Sequence, residues 1–181
     1  MNLENRDYGG VVADAATLDH PEHRALFSHW MENRRGEAVP LRSTFDPLEF
    51  HRSMSRMAII ECSGEVGKET FRYRLAGTEI ARRAGRDPTG KSFEELYQGT
   101  YLQTAMQTYL DIASSRRPHF SQRVYPIGDD GSALRYDRII LPYSSDGTLI
   151  DQFILLIVVV EQNTPVKQVG SFSVFGDRKK T

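Results

Sequence analysis

Two short Asp-Gly connections separate three strand-like runs near the end of the chain, and they permit only one kind of sheet. The runs cover residues 119–127, 133–143 and 149–161, joined by Gly128-Asp129-Asp130-Gly131 and Ser144-Ser145-Asp146-Gly147. Connections this tight can join only antiparallel neighbours, because a parallel crossover needs about a dozen residues or more. The third run contains Phe153-Ile154-Leu155-Leu156-Ile157-Val158-Val159-Val160 without a polar break. An uninterrupted apolar strand predicts a central position covered on both faces. The run is far shorter than the roughly 20 residues a bilayer-spanning helix needs, so no membrane span is expected.

Upstream, the apolar spacing changes from strand to helix and back. Asp19 is placed to cap a helix, with Pro21 in the first turn and Glu22 able to reach back to the cap. Leu26, Phe27, Trp30, Met31 and the stem of Arg34 then fall on one stripe of an amphipathic helix ending near Gly36. Asp46-Pro47 repeats the capping signal, and Phe45 and Phe50 have the spacing of a hydrophobic staple for a short helix over 47–53. Runs over 57–62 and 70–75 read as strands; in the second, Phe71, Tyr73 and Leu75 share one face and Arg72 and Arg74 the other. Short helical pieces follow over 78–84 and 92–97. A longer helix opens at Thr100, with Gln103 completing a capping box and Arg116-Arg117 at its negative end. Its inward stripe is Leu102, Ala105, Met106, Tyr109, Ile112 and Ala113.

Two strands, a helical excursion and a three-strand meander is the element order of a PAS domain, and several local strings resemble a family of small bacterial PAS-domain proteins. Trp30 with Arg34-Arg35-Gly36, Pro40, Arg42 and Phe45-Asp46-Pro47 resembles that family's N-terminal extension. Phe71-Arg72-Tyr73-Arg74-Leu75-Ala76-Gly77-Thr78 resembles its second strand entering the first short helix. Gly85-Arg86-Asp87-Pro88-Thr89-Gly90-Lys91 resembles its inter-helix turn, and Leu141-Pro142-Tyr143-Ser144-Ser145-Asp146-Gly147 its last hairpin. The resemblance implies an α+β fold: a five-stranded antiparallel sheet with short helices on one face and the N-terminal amphipathic helix on the other. The expected organisation is a flexible lead-in over 1–17, a helical extension over 18–54, the PAS domain over 55–161 and a tail over 162–181. It further implies a sensory or regulatory domain without catalysis of its own, which binds a small molecule, a protein partner, or both. Within these 181 residues no effector segment is recognisable, so the output is expected to pass through a separate signalling protein, with a homodimer across the N-terminal helix as one arrangement. A ligand-free adaptor or dimerisation module is the alternative reading.

The expected ligand site lies between sheet and helices, with Tyr73, Tyr109, Arg123, Tyr125 and Tyr136 as its polar-capable residues. A buried tyrosine needs a partner for its hydroxyl, and a ligand can be that partner. An inward Arg123 would select an anion, since an unpaired buried guanidinium is costly. Phe27, Trp30 and Met31 are the expected interface residues.

Rival chemistries are weaker. Gly85-Arg86-Asp87-Pro88-Thr89-Gly90-Lys91-Ser92 matches the phosphate-cradling string G-x-x-x-x-G-K-[ST]. A phosphate loop must follow a buried strand and open a substantial helix, whereas this string lies between two short helical pieces, so a nucleotide-binding enzyme using Lys91 and Ser92 is disfavoured. His20 and His23 flank Glu22 without a third metal ligand at a recognisable spacing. Haem is disfavoured because the long helix holds no histidine and His119 is the sole substitute nearby. Flavin is disfavoured because the lone cysteine, Cys62, sits on the first strand, where a small buried hydrophobe is the default. Asp129, Asp130 and Asp137 form no evident acid–base pair. With 23 basic against 24 acidic residues, the chain has no field for nucleic acid or an anionic membrane; Arg178-Lys179-Lys180 reads as a solvated tail. One cysteine excludes an internal disulfide framework, and the first residues lack a signal-peptide pattern, so a cytoplasmic protein is expected.

Overall fold

The central hairpin of the sheet is made by the two longest strands. The computed structural model describes residues 8–36, 38–65, 67–126 and 132–165; the expected 128–131 turn and the expected tail beyond 165 lie outside the described residues. In chain order the strands are β1 (Tyr8–Val11), β2 (Met57–Ser63), β3 (Thr70–Ala76), β4 (His119–Pro126), β5 (Ser132–Tyr143) and β6 (Gln152–Pro165). They form one six-stranded sheet in the order β1-β4-β5-β6-β2-β3, every neighbouring pair antiparallel. The five expected strands are all present, and β6 lies between β5 and β2 as its apolar run requires.

Two boundaries differ from expectation. Residues 8–11, placed by sequence in a flexible lead-in, form a sixth strand along β4 with Gly9 opposite Ser121. Tyr-Gly-Gly-Val carries no alternation that would announce a strand; the open edge of β4 supplies the partner. At the other end β6 continues past the expected limit of 161 and pairs Pro165 with Ser132.

The sheet is covered on both sides. On one face lie α2 (Thr78–Ala84), α3 (Phe93–Leu96) and α4 (Gly99–Ser115), and on the other α1 (Pro21–Glu32). Successive residues of a strand point to opposite faces. Asp137, Ile139, Leu141, Ile154 and Leu156 thus face α1, while Arg138, Ile140, Phe153 and Leu155 face the helical cluster. Of these, Ile139, Ile140, Leu141, Phe153, Ile154 and Leu156 have no exposure at all. α1 meets the outer face through His23, Leu26, Phe27 and Trp30, all buried, an i, i+3, i+4, i+7 stripe. Its start departs from the expected capping box: His20, not Asp19, is the cap residue, and it makes no side-chain cap bond. Glu22 is drawn instead to Arg56 at 2.7 Å.

Polar contacts fix how α1 sits. Trp30 donates its indole N–H to the carbonyl of Pro142 at 2.7 Å. β4 pairing stops at His119–Ile140, so Pro142 lies where β5 has no strand on that side. Its missing N–H forfeits no ladder bond there, and its carbonyl is free for the indole. His20 pairs with Asp137 at 2.7 Å, and His23 Nε2 lies 3.2 Å from the carbonyl of Leu156. Below α1, Asp46 accepts the amide of Leu48 at 2.9 Å, the expected cap. The segment it starts is a pair of 3-10 turns, Pro47–Phe50 and Met54–Arg56, rather than one helix over 47–53. The Phe45 and Phe50 rings stack at 5.7 Å, as a staple should.

On the other face α4 begins at Gly99 with Gln98 as its cap residue, so Thr100 lies inside the helix and the expected capping box is not formed. Arg116 ends the helix in the left-handed region at φ 57°, and its guanidinium binds the carbonyls of Gly147 and Thr148 in the β5–β6 turn.

Trp30→Ala removes a ring with 1% exposure and its bond to Pro142. It should destabilise the chain by about 3–5 kcal/mol in equilibrium urea unfolding; a loss below about 1 kcal/mol would mean that α1 is not docked through this ring.

Burial, then the neighbouring His20, pushes the His23 imidazole from 6.5 down to about 4. The unfolded chain therefore takes up a proton at residue 23 that the folded chain refuses. This contribution is complete above pH 6.5 and is lost as pH falls towards about 4, at about 1.4 kcal/mol per pH unit. Urea unfolding of wild type and His23→Leu at several pH values should give a flatter acid limb for the variant; identical limbs would place the proton uptake elsewhere.

Candidate functional site

The inner face of the sheet and the helices over it do not close completely. Between them lies a cavity of about 90 Å³. β3 supplies Tyr73, α3 and its C-cap Phe93 and Tyr97, and α4 Tyr101, Ala105 and Tyr109. The last three are spaced i, i+4, i+8, which keeps them on one helix face. β5 supplies Tyr136 and Arg138, two residues apart on one side of the strand, and β6 supplies Leu155 and Ile157. Ile80, Arg83 and Ala84 of α2 complete the lining.

The aromatic residues pack into a connected cluster, with ring centroids 5.3 Å apart for Phe93–Tyr97, 4.9 Å for Tyr97–Tyr101 and 5.1 Å for Phe93–Tyr109. The hydroxyls of Tyr73 and Tyr97 share a hydrogen bond of 2.7 Å. Burial raises the phenols of Tyr73, Tyr97, Tyr101 and Tyr109 above their ordinary range, so all four stay protonated at neutral pH. Arg138 donates from Nε to Ser121 Oγ at 3.1 Å. Its Nη2 is covered from solvent and has no hydrogen-bond partner among the described residues. The site thus combines apolar walls, neutral hydroxyls and one guanidinium with unused donor capacity.

Of the residues expected here, Tyr73, Tyr109 and Tyr136 line the cavity. Arg123 does not; it sits opposite Tyr136 in the β4–β5 ladder, one strand further out. The backbone of Tyr125 pairs with Leu134 in β4, and its side chain lies outside the described residues. Phe27 and Trp30, expected at an interface, are buried inside the chain against the sheet, whereas Met31 is 41% exposed. Sequence reasoning missed Tyr97, Tyr101 and Arg138. The strand alternation that selects Tyr136 also selects Arg138, and the α4 stripe extends back to Tyr101.

The other candidates are occupied elsewhere. Within the phosphate-loop string, the amides of Gly85, Thr89, Gly90, Lys91 and Ser92 already bond to Arg82, Asp87, Tyr73, Pro88 and Glu95 respectively. Ser92 caps α3 in a reciprocal capping box with Glu95, and Lys91 pairs with the same Glu95 at 3.6 Å. With these five amides spent within the chain, the string does not present the continuous run of free donors that wraps a phosphate. His119 lies under β1, where the absent Cβ of Gly9 leaves space: a Cβ there would come within 2.8 Å of the imidazole. It does not line the cavity. Cys62 is half-buried on β2, and burial pushes its thiol up to about 11, a poor nucleophile. Among the described residues no group of three or more His, Cys, Asp or Glu is arranged to hold a metal. No helix among them is long and apolar enough to cross a membrane.

A family model described as the PAS domain matches residues 18–156, from the residues before α1 into β6. The chain belongs to the PAS domain family. The structure of a fungal LOV domain photoreceptor is similar to this PAS domain at 12% identity, over 81% of this chain and 95% of that one, with a TM-score of 0.41. No curated protein matches the chain.

Ser92→Ala should cost about 1 kcal/mol through loss of the α3 cap, read as a lower urea midpoint with an unchanged slope. A phosphate-loop role predicts instead unchanged stability and a lost response to magnesium-ATP.

Proposed function

We propose that this PAS domain is an intracellular sensory module that takes a small molecule into the cavity between sheet and helices and passes its state to a separate signalling protein, with no catalysis of its own. The observation that carries this reading is the cavity itself, in which apolar walls converge with phenolic hydroxyls and a guanidinium N–H without a partner among the described residues. That is the composition of a small-molecule site rather than of a packed core. A route outward is available along β5. Arg138 faces the cavity, while the preceding residue, Asp137, faces the other side and bonds His20 at the start of α1. A ligand that pulls on Arg138 therefore pulls on the strand that seats α1. The exposed side of α1, with Met31 on it, is the surface proposed for a partner or a second copy. The single cysteine fits a reducing compartment.

The second reading, a constitutive interaction module with a filled core, draws on the Tyr73–Tyr97 pair, in which two buried hydroxyls satisfy one another without a ligand.

Native mass spectrometry of the purified full chain distinguishes the two readings. Retention of a small molecule supports the sensor, and the same molecule added back should raise the melting temperature; at 100 times its dissociation constant the gain is about 2.7 kcal/mol. A bare protein mass together with no thermal shift across a metabolite panel would favour the filled module.

A further inference from the structure

Among the residues that line the cavity there is one guanidinium for which the described residues supply no counter-charge. Arg138 forms no ion pair among the described residues; its bond goes to the neutral hydroxyl of Ser121, and its Nη2 is covered without a partner. No aspartate or glutamate lines the cavity. The carboxylate closest in sequence, Asp137, is on the other side of the strand and held by His20. The other cationic lining residue, Arg83, is taken by Glu79 through two bonds of 2.9 and 2.6 Å. Burial keeps the phenols of Tyr73, Tyr97, Tyr101 and Tyr109 neutral. A covered guanidinium in such surroundings carries a desolvation cost that a single anion would offset.

We infer, resting on the small-molecule reading above, that the ligand of this cavity is a small organic monocarboxylate with a short apolar body, its carboxylate held by Arg138. The planar fork of arginine matches a carboxylate in bidentate geometry. Leu155, Ile157, Ala105 and the faces of the aromatic rings would receive the body, and the phenolic hydroxyls can donate to the carboxylate oxygens. One available cation suits one negative charge, which sets a monocarboxylate apart from a phosphate dianion. The volume of about 90 Å³ is small beside the roughly 300–1,000 Å³ of sites for larger ligands, so a nucleotide does not fit. A cationic ligand would meet like charge.

The test uses the full chain and two matched probe pairs small enough for this volume, propionate with propionamide and isobutyrate with isobutyramide, each acid differing from its amide chiefly in charge. Calorimetric titration and thermal shift at neutral pH should give binding of the acids and binding of the amides weaker by about tenfold or more, a factor of ten being about 1.4 kcal/mol. Arg138→Met should abolish the preference, and Arg138→Lys, which keeps charge without the fork, should retain part of it. The wild-type comparison of acid with amide needs no variant, so the inference stays testable even if Arg138→Met fails to fold. Acids and amides binding equally, or an acid preference that survives in Arg138→Met, would overturn the monocarboxylate while leaving a cavity ligand standing. A neutral molecule retained in native mass spectrometry would do the same. If no probe binds and the protein mass is bare, the monocarboxylate and the small-molecule reading fall together.

Discussion

The fold depends on a sheet whose central strands must be dry on both faces. β6 has apolar side chains pointing each way, and neither set tolerates water. α2, α3 and α4 close one side, and α1 closes the other with Leu26, Phe27 and Trp30. Antiparallel sheets commonly leave one face wet; this one does not, so the helix ahead of the first central strand is part of the core rather than an appendage. The family match points the same way, since it starts at residue 18 and takes in the helix with the sheet.

Burial alone would let α1 slide along an oily surface. Its position is set by polar atoms at three heights: His20 to Asp137, His23 to the carbonyl of Leu156, and Trp30 to the carbonyl of Pro142. Each of these partners lies on β5 or β6. The same two strands form the floor of the cavity on the opposite face, through Tyr136, Arg138, Leu155 and Ile157. Layers that share a strand cannot respond independently. A change in the demand on Arg138 reaches Asp137 through one peptide unit, and this proximity makes α1 the natural place to look for an output.

Legibility followed the range of the forces involved. The cap at Asp46 and the Phe45–Phe50 staple were readable because both are local, although the helix expected over 47–53 is two 3-10 turns. The cap expected at Asp19 failed for a reason no window of sequence contains: Arg56, far along the chain, claims Glu22. The phosphate-loop string misleads in the same way, since its spacing is right while the amide of Gly90 is taken by β3, that of Ser92 by the capping box of α3, and those of Gly85, Thr89 and Lys91 by local turns. In the cavity, Tyr73, Tyr109 and Tyr136 could be picked out by periodicity. Choosing Arg138 over Arg123 required knowing which strand lies over the helices.

By itself the sequence determined the strand meander, the antiparallel sense of its hairpins and the need for a second covering layer, because turn length, alternation and apolar runs act between near neighbours. The tertiary structure alone decided that residues 8–11 would become a strand, that Arg138 would be the cation at the cavity, and that Phe27 and Trp30 would be buried within the chain while Met31 stays exposed. Those outcomes depend on which surfaces meet after collapse. An edge amide, a guanidinium or an indole ring acquires its role from a partner that the chain brings alongside only when it is folded.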